Sequence, residues 1–284
     1  MYSLTASGDR TGRREVIRGA LAAAGAALVS PAVAPAQQIP LGWPSGAKAA
    51  VSLTYDDGLN SQLDNVVPAL ARFGLSATFF LTKVNIEPRV VDWRRVGEAG
   101  HEMGNHTVHH LCRLGSVSPT EFDRQEIEDM EAYLAANFDK GRVPIFAYPC
   151  GVLGIGRDTE MKEQLRYVRL LKERFIAARA AVGAPNDPRL VPERRYVLQA
   201  TAPTYYRDDP QLAIDYVRSA MRDGRWAILI FHNVLGARHG DGDTSIRSHE
   251  TILRWLTTQP IWCVPMGQVL ARLGINRASP GLVE

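Results

Sequence analysis

The sequence predicts an α/β fold, a distorted (β/α)7-type barrel in a single domain. Short apolar runs and amphipathic stretches alternate seven or eight times between residues 49 and 273, without a break in composition. Such alternation is typical of parallel strands with helices packed outside them. Polar residues follow several apolar runs, and in a barrel they would meet at one mouth. A doubly wound open sheet fits the alternation equally well, but the spread of these polar residues along the chain favours the barrel.

The first half of the chain gives clear strand and helix patterns. Residues 49–55 form an apolar run that ends at Asp56-Asp57-Gly58, as a buried strand does where it enters a loop. Residues 62–73 carry apolar side chains at helical spacing, and Gly74 ends that helix. The next predicted elements are strand 77–81, helix 91–99, extended segment 101–105, helix 119–138 and strand 143–148.

The second half continues the alternation. Residues 175–180 allow either helix or strand, and we predict a strand because a helix through 181 would leave the alternation one strand short. Residues 226–231 form the clearest buried strand. The remaining predicted elements are helix 160–172, strand 196–200, helix 210–222, helix 248–257, strand 261–264 and helix 265–273.

The N-terminal residues have the pattern of an export signal. A basic run with Arg13-Arg14 precedes a weakly apolar Ala/Gly-rich stretch, and Ala34-Pro35-Ala36 offers a small-residue cleavage site. The paired arginines favour the twin-arginine type; an amphipathic helix and an uncleaved anchor are the alternatives. We therefore expect a signal at 1–36, a lead-in at 37–48, a catalytic domain at 49–284, and a periplasmic or extracellular location.

The charge of the chain gives no reason to expect nucleic acid as a partner. The formal charge of the whole sequence is +3. Residues 1–36 hold four arginines against Asp9 and Glu15, so their removal lowers it by two, to +1. A nearly neutral protein has no net attraction to polyanions or anionic membranes. We also expect no integral membrane segment in the mature chain.

Two short motifs together supply the donors of a mononuclear metal site. Asp56 and Asp57 end an apolar run, and His106 and His110 follow downstream, four residues apart. Two imidazoles and one carboxylate can hold a divalent cation, and the second carboxylate can accept a proton from water. Asp-Asp-Gly alone is a common turn, so the inference depends on the combination.

These motifs resemble those of the polysaccharide deacetylases, carbohydrate esterase family 4. The resemblance runs from residue 49 to 273 and includes the late stretch that ends at His232. It implies a (β/α) barrel, often seven-stranded, that removes acetyl groups from a glycan with a divalent metal. Zn²⁺ is the first expectation, with Co²⁺ or another divalent ion as the alternative. By resemblance, the metal ligands are Asp57, His106 and His110, the general base is Asp56 and the general acid is His232.

The third and fourth motifs of this family are altered here. Where members commonly read Arg-x-Pro-Tyr, this chain has Ala147-Tyr148-Pro149-Cys150. The resemblance implies that the lost arginine pairs with the base, and Arg179 is a candidate replacement, as are Arg194 and Arg195. We also expect the backbone N–H of Cys150 to serve the oxyanion and Tyr148 to contribute to substrate binding. No convincing fourth motif is found.

The three cysteines contain no C-x-x-C pair, which argues against a thiolate zinc site. If their two loops converge, Cys112 and Cys150 could form a disulfide in an oxidising compartment. Three unpaired buried thiols are the alternative. Cys263 lies in an apolar run and is expected in the core. His101, His239 and His249 are interpreted as loop or surface residues.

The leading functional hypothesis is a metal-dependent hydrolase that removes N- or O-acetyl groups from a glycan. An amidohydrolase of the same superfamily acting on a small amide is the second hypothesis. A non-catalytic carbohydrate-binding barrel is the third, and the retention of Asp56 and His232 argues against it, because binding requires neither a base nor an acid.

Overall fold

The computed structural model describes residues 42–155 and 161–276. Its strands are β1 (Ala50–Asp57), β2 (Thr78–Leu81), β3 (Glu102–Asn105), β4 (Arg142–Ala147), β5 (Ala177–Arg179), β6 (Trp226–Phe231), β7 (Asn233–Leu235), β8 (Asp243–Ser245) and β9 (Trp262–Cys263). Six of them form a parallel sheet in the order β5-β4-β3-β2-β1-β6, and β9 pairs with the start of β1. Strands β7 and β8 form a separate parallel pair.

The sheet curls into a barrel that the segment 196–201 closes. Leu198 forms a parallel bridge with Arg179 on β5, and Thr201 forms one with Leu229 on β6. Backbone hydrogen bonds accompany both bridges, with Leu198 N donating to Ala178 O at 2.9 Å and Ile230 N donating to Thr201 O at 2.8 Å. Six strands and this bridging segment together form a wall of seven parallel segments, which confirms the predicted (β/α) barrel. The predicted strand at 196–200 is thus reduced to two isolated bridges.

Helices cover the outside of the barrel. They are α1 (Val67–Phe73), α2 (Lys83–Ile86), α3 (Val90–Glu98), α4 (Pro119–Phe122), α5 (Asp129–Asn137), α6 (Met161–Lys172), α7 (Val191–Arg194), α8 (Pro210–Asp223), α9 (Ile246–Leu256) and α10 (Met266–Arg272). Wider π-helical turns at Gln62–Val66 and Asp123–Glu128 precede α1 and α5, so the predicted helices 62–73 and 119–138 are each built in sections. No helix in the described residues is long and apolar enough to cross a bilayer.

The alternation of β1 separates the two layers of the core. Val51, Leu53 and Tyr55 pack outward against apolar residues of the surrounding helices. Ala50 joins an inner cluster with Phe80 and side chains from the other strands. A strand of period two therefore delivers its even-numbered residues to the barrel interior, and Asp56 belongs to that series.

Candidate metal centre and catalytic site

The two adjacent carboxylates lie at the end of β1, where the backbone leaves the strand conformation. Asp56 follows the alternation into the barrel interior. Asp57 has a φ of 77°, and Gly58 has a φ of 70°. This left-handed turn ends the alternation, so that Asp57 reaches the same site. His106 Nε2 lies 3.5 Å from Asp57 Oδ1 and 3.9 Å from Asp56 Oδ2.

His106 follows β3 directly, and its ring is oriented by a hydrogen bond from behind. Its Nδ1 lies 2.9 Å from the carbonyl oxygen of Ala147, which can only accept, so Nδ1 carries the proton. Nε2 is then unprotonated and faces the carboxylates. A partner of this kind fixes the tautomer that a metal ligand requires.

His110 is positioned by a short loop with its own hydrogen bonds. Its backbone N–H donates to Thr107 Oγ1 at 3.0 Å, and Thr107 N donates to Asn105 Oδ1 at 2.8 Å. The His110 Nε2 atom lies 3.4 Å from Asp57 Oδ1. Sequence reasoning missed Glu126, whose buried carboxylate binds both the backbone N–H and the Nδ1 of His109. Only the fold brings this helix residue to the loop, so no local pattern could have indicated it.

The donor set at this point fits a divalent cation. Ligand atoms of Asp57, His106 and His110 all lie within 4.8 Å of one another. Oδ1 of Asp57 is buried and has no hydrogen-bond partner among the described residues. An unprotonated imidazole nitrogen and a carboxylate oxygen face each other there, and both are electron-pair donors that a shared cation would satisfy.

The local electrostatics keep Asp57 ionised. Burial acts to raise the pKa of its carboxyl group, but the neighbouring imidazoles of His106, His232 and His110 outweigh burial and lower the pKa to about 2. The pKa of His110 is lowered by burial first and by the neighbouring His106 second. An anionic carboxylate and neutral imidazoles are the protonation states in which these groups bind metal.

Asp56 is held by a buried arginine that lies on β5. Arg179 Nη2 donates to both Asp56 oxygens at 2.6 Å, and the two side chains are 1% and 6% exposed. The guanidinium group also lies over the ring of Phe80, 4.9 Å from its centroid. Of the three arginines considered from the sequence, Arg179 is therefore the one that contacts the candidate base.

The position of Arg179 has a simple relation to the altered third motif. Ala147 on β4 and Arg179 on β5 are register partners in parallel strands. Register partners point to the same face of a sheet, so Arg179 projects into the barrel interior from the strand next to that of Ala147. The Phe80 ring below the guanidinium group packs against Gly104, where a Cβ atom would lie only 2.7 Å from that ring.

His232 follows β6 directly, at the mouth of the barrel. Its backbone oxygen accepts a hydrogen bond from Gln62 Nε2, which also binds the backbone oxygen of Asp56. Its ring meets that of Tyr205 edge to face, with centroids 5.6 Å apart.

The altered third motif forms a tight turn above β4. Cys150 has a φ of 53° within the turn Pro149–Gly151, and the structure joins it to Cys112 in a disulfide. This link ties the turn to the loop that carries His110. Cys263 is unpaired, and burial raises the pKa of its thiol to about 12.

Tyr148 lies in a different place from the one expected of a substrate-binding side chain. It is buried in an aromatic cluster with Phe146 and Tyr167, and its hydroxyl donates to the backbone oxygen of Tyr196 at 2.8 Å. Burial raises its pKa above the ordinary range. Tyr148 therefore supports the turn from below.

Backbone strain is concentrated around the site. Among the described residues, five non-glycine residues have positive φ, and four of them are Asp57, Thr107, His110 and Cys150. Such conformations cost about 1–3 kcal/mol each and persist where the surrounding structure imposes them. All four belong to the two metal-site motifs or to the turn after β4.

Comparisons with known proteins agree with this geometry. Residues 44–167 match the family model described as polysaccharide deacetylase. A gellan lyase from Bacillus sp. is 31% identical over 146 residues, which are 51% of this chain and 5% of that protein. A peptidoglycan-N-acetylglucosamine deacetylase from Bacillus cereus is 37% identical over 87 residues, 30% of each chain. The alignments thus span less than a third of either relative.

Solved structures share the fold at low sequence identity. A family 4 acetyl xylan esterase from Clostridium thermocellum, in complex with a cobalt ion, has a TM-score of 0.54 and 18% identity over 80% of this chain and 93% of that one. The Xyl-CE4 domain of a xylanase from the hindgut metagenome of Trinervitermes trinervoides has a TM-score of 0.55 and 16% identity, covering 81% and 94%. Over residues 44–167 the chain is therefore similar to the polysaccharide deacetylase family, and its barrel is the fold that these solved structures share.

Proposed function

We propose that this protein is a metal-dependent hydrolase that removes N- or O-acetyl groups from a glycan. The observation that carries the proposal is the convergence of a three-donor metal centre with a second carboxylate, Asp56, buried on an arginine. A site for binding alone needs no such carboxylate, whereas acetyl hydrolysis needs a proton acceptor beside the attacking water.

The chain's own residues would divide the reaction between them. A divalent cation held by Asp57, His106 and His110 would polarise the acetyl carbonyl and lower the pKa of a nearby water. Asp56, oriented by Arg179, accepts the proton of the attacking water. His232 would protonate the departing amine or alkoxide. The backbone N–H of Cys150 would donate to the developing oxyanion.

The finer expectations remain part of this proposal. Zn²⁺ suits two imidazoles and one carboxylate, and Co²⁺ would be accepted by the same donors. Export through the twin-arginine route is supported by the pattern of residues 1–36, which lie outside the described residues. The Cys112–Cys150 disulfide is consistent with an oxidising compartment.

Metal analysis combined with acetate release tests the proposal. We expect one divalent ion per chain and acetate release from at least one of chitin oligomers, acetylated xylan and peptidoglycan. Asp56→Asn, which keeps the shape of the side chain, is expected to reduce turnover by about 10²–10⁴-fold while the metal content stays unchanged. Full activity in metal-free protein would contradict the mechanism. Turnover of small amides alone would favour the amidohydrolase hypothesis, and glycan binding without turnover would favour a binding barrel.

A further inference from the structure

Exposed apolar side chains are concentrated at the mouth of the barrel. Among the described residues six large apolar side chains are exposed. Four of them lie after the carboxyl end of a barrel strand or of the bridging segment 196–201: Val84, Leu111, Val182 and Tyr206. In a parallel barrel these positions surround the end where the candidate metal centre lies. Exposed apolar side chains gathered beside a polar site indicate a surface for a ligand.

Tyr206 is the aromatic member of this group and is connected to the site through a neighbouring ring. Its side chain is 75% exposed, and its ring lies 4.8 Å from that of Tyr205, edge to face. Tyr205 in turn meets His232 at 5.6 Å. Two ring contacts therefore separate the exposed face of Tyr206 from the candidate general acid.

Tyr205 is fixed in place by the loop that follows β7. Its backbone oxygen accepts hydrogen bonds from Gly242 N at 2.9 Å and Arg238 Nη2 at 3.1 Å. Arg238 also binds Asp241, and Gly242 lies against the Tyr205 ring. The segment thus holds the Tyr205–Tyr206 pair at a defined distance from His232.

We infer that Tyr206 is a stacking platform for a sugar ring of the glycan, one subsite away from the acetylated sugar. This inference rests on the proposed function and adds a binding subsite to it. The C–H face of a pyranose is apolar and flat enough to cover an aromatic ring, while its hydroxyl groups stay in water. An exposed tyrosine supplies such a surface with little loss of side-chain entropy.

Calorimetric binding to penta-N-acetylchitopentaose and to an acetylated xylo-oligosaccharide tests the inference, with Asp56→Asn as the parent to prevent turnover. We expect Tyr206→Ala to weaken binding of one of these glycans about three- to tenfold, and Tyr206→Phe to retain it. Val91→Ala, which removes an exposed apolar side chain from α3, is the matched control and should change nothing. Equal affinities for Tyr206→Ala and the parent, or no binding of either glycan by the parent, would overturn the inference.

Kinetics on the active protein separate this inference from the proposed function. Tyr206→Ala should raise KM for the glycan that binds and leave hydrolysis of 4-nitrophenyl acetate unchanged, because that ester is too small to reach Tyr206. A glycan that binds through Tyr206 without releasing acetate would contradict the proposed function and support the subsite. Acetate release whose KM is unchanged in Tyr206→Ala would contradict the subsite and support the proposed function.

Discussion

Among single residues, Asp57 shows how two neighbouring carboxylates can serve one site. Adjacent strand residues normally face opposite sides of a sheet, and here the left-handed backbone of Asp57 removes that separation. Asp and Asn tolerate this conformation better than most residues do. The sequence motif therefore encodes a backbone conformation as well as two side chains.

Asp57→Asn tests the metal centre without changing this backbone. Asparagine accepts positive φ and has the same shape, so the fold should persist, but the ligand loses its negative charge. We expect metal affinity to fall at least about tenfold, as measured by competition with a chelator. Asp64→Asn, on a surface ion pair with Arg89, is the control and should leave affinity unchanged. Equal affinities in both variants would argue against Asp57 as a ligand.

Arg179 is the residue whose role can be tested by moving it. Removing it leaves the Asp56 carboxylate buried without its partner, which we expect to cost about 3–5 kcal/mol in the free energy of unfolding and at least about tenfold in kcat. The double variant Ala147→Arg/Arg179→Ala restores a guanidinium group on the adjacent strand, β4, where it points to the same face of the sheet. It should recover part of both losses.

Urea denaturation and steady-state kinetics on acetylated glycan measure the two quantities. Ala147→Arg alone serves as the control, since two guanidinium groups would then compete for one carboxylate. An arginine at 147 that rescues neither stability nor activity would show that the position on β5 matters beyond its charge.

Motif reasoning singled out Asp57, His106 and His110, whose ligand atoms the fold brings together, but it left the partner of Asp56 open among three arginines. Asp56 and Arg179 are 123 residues apart, and their contact depends on which strands are neighbours and on their register. A local pattern carries neither kind of information. The burial of Tyr148 escaped prediction for the same reason, because Tyr167 and Tyr196, which it contacts, come from distant segments.

Between elements, the disulfide connects the loops that follow β3 and β4. Cys112 and Cys150 are 38 residues apart in sequence, and the link bridges the His110 loop and the Cys150 turn. Loop closure of this length is worth about 3–4 kcal/mol in the chain-entropy description. The bond therefore holds together two strained segments of one site.

Replacing both cysteines by serine should separate these loops. We expect the free energy of unfolding to fall by about 2–4 kcal/mol and metal affinity to fall with it, because the His110 loop loses an anchor. Thermal unfolding with and without metal measures both effects. Reductant should destabilise the wild-type protein in the same way and leave the double variant unaffected; a reductant effect on the double variant would assign the loss to another cause.

Element prediction from sequence succeeded where apolar periodicity was strong. The strand 226–231 and the helix expected at 210–222 lie within a residue of the observed bounds. Strands β7 and β8 were missed because each has only three residues, Asn-Val-Leu and Asp-Thr-Ser, and β8 is polar throughout. At such lengths the two-residue period of a strand cannot be recognised.

For the whole molecule, two buried histidines link folding to pH. His249 is neither a loop nor a surface residue, since it lies on α9 and is 0% exposed, and His101 lies in the connection between α3 and β3 but is only 4% exposed. His249 Nε2 lies 2.7 Å from the Tyr55 hydroxyl, and His101 Nδ1 accepts from Ala77 N at 3.2 Å. Burial lowers the pKa of His101 to about 4 and that of His249 to about 3.

These shifts predict loss of stability in mild acid. Below the unfolded-state pKa of about 6.5 the unfolded chain binds protons that the folded chain excludes, so stability falls as pH decreases. The fall continues until the folded-state values near 4 and 3 are reached. Each histidine contributes up to about 1.4 kcal/mol per pH unit. His249→Gln should flatten the slope of unfolding free energy between pH 6 and 4, measured by urea denaturation. An unchanged slope in this variant would show that His249 is not a source of the pH dependence.

The register pairing of Ala147 with Arg179 has a consequence for how relatives of this protein are compared. An alignment matches positions along one strand at a time, and it records Ala147 as the loss of a functional group. In the folded barrel the positive charge is supplied by Arg179 on the neighbouring strand, and it reaches the carboxylate of Asp56. Homologues that lack the arginine of the third motif should therefore be searched for a basic residue at the neighbouring register position before they are classed as inactive.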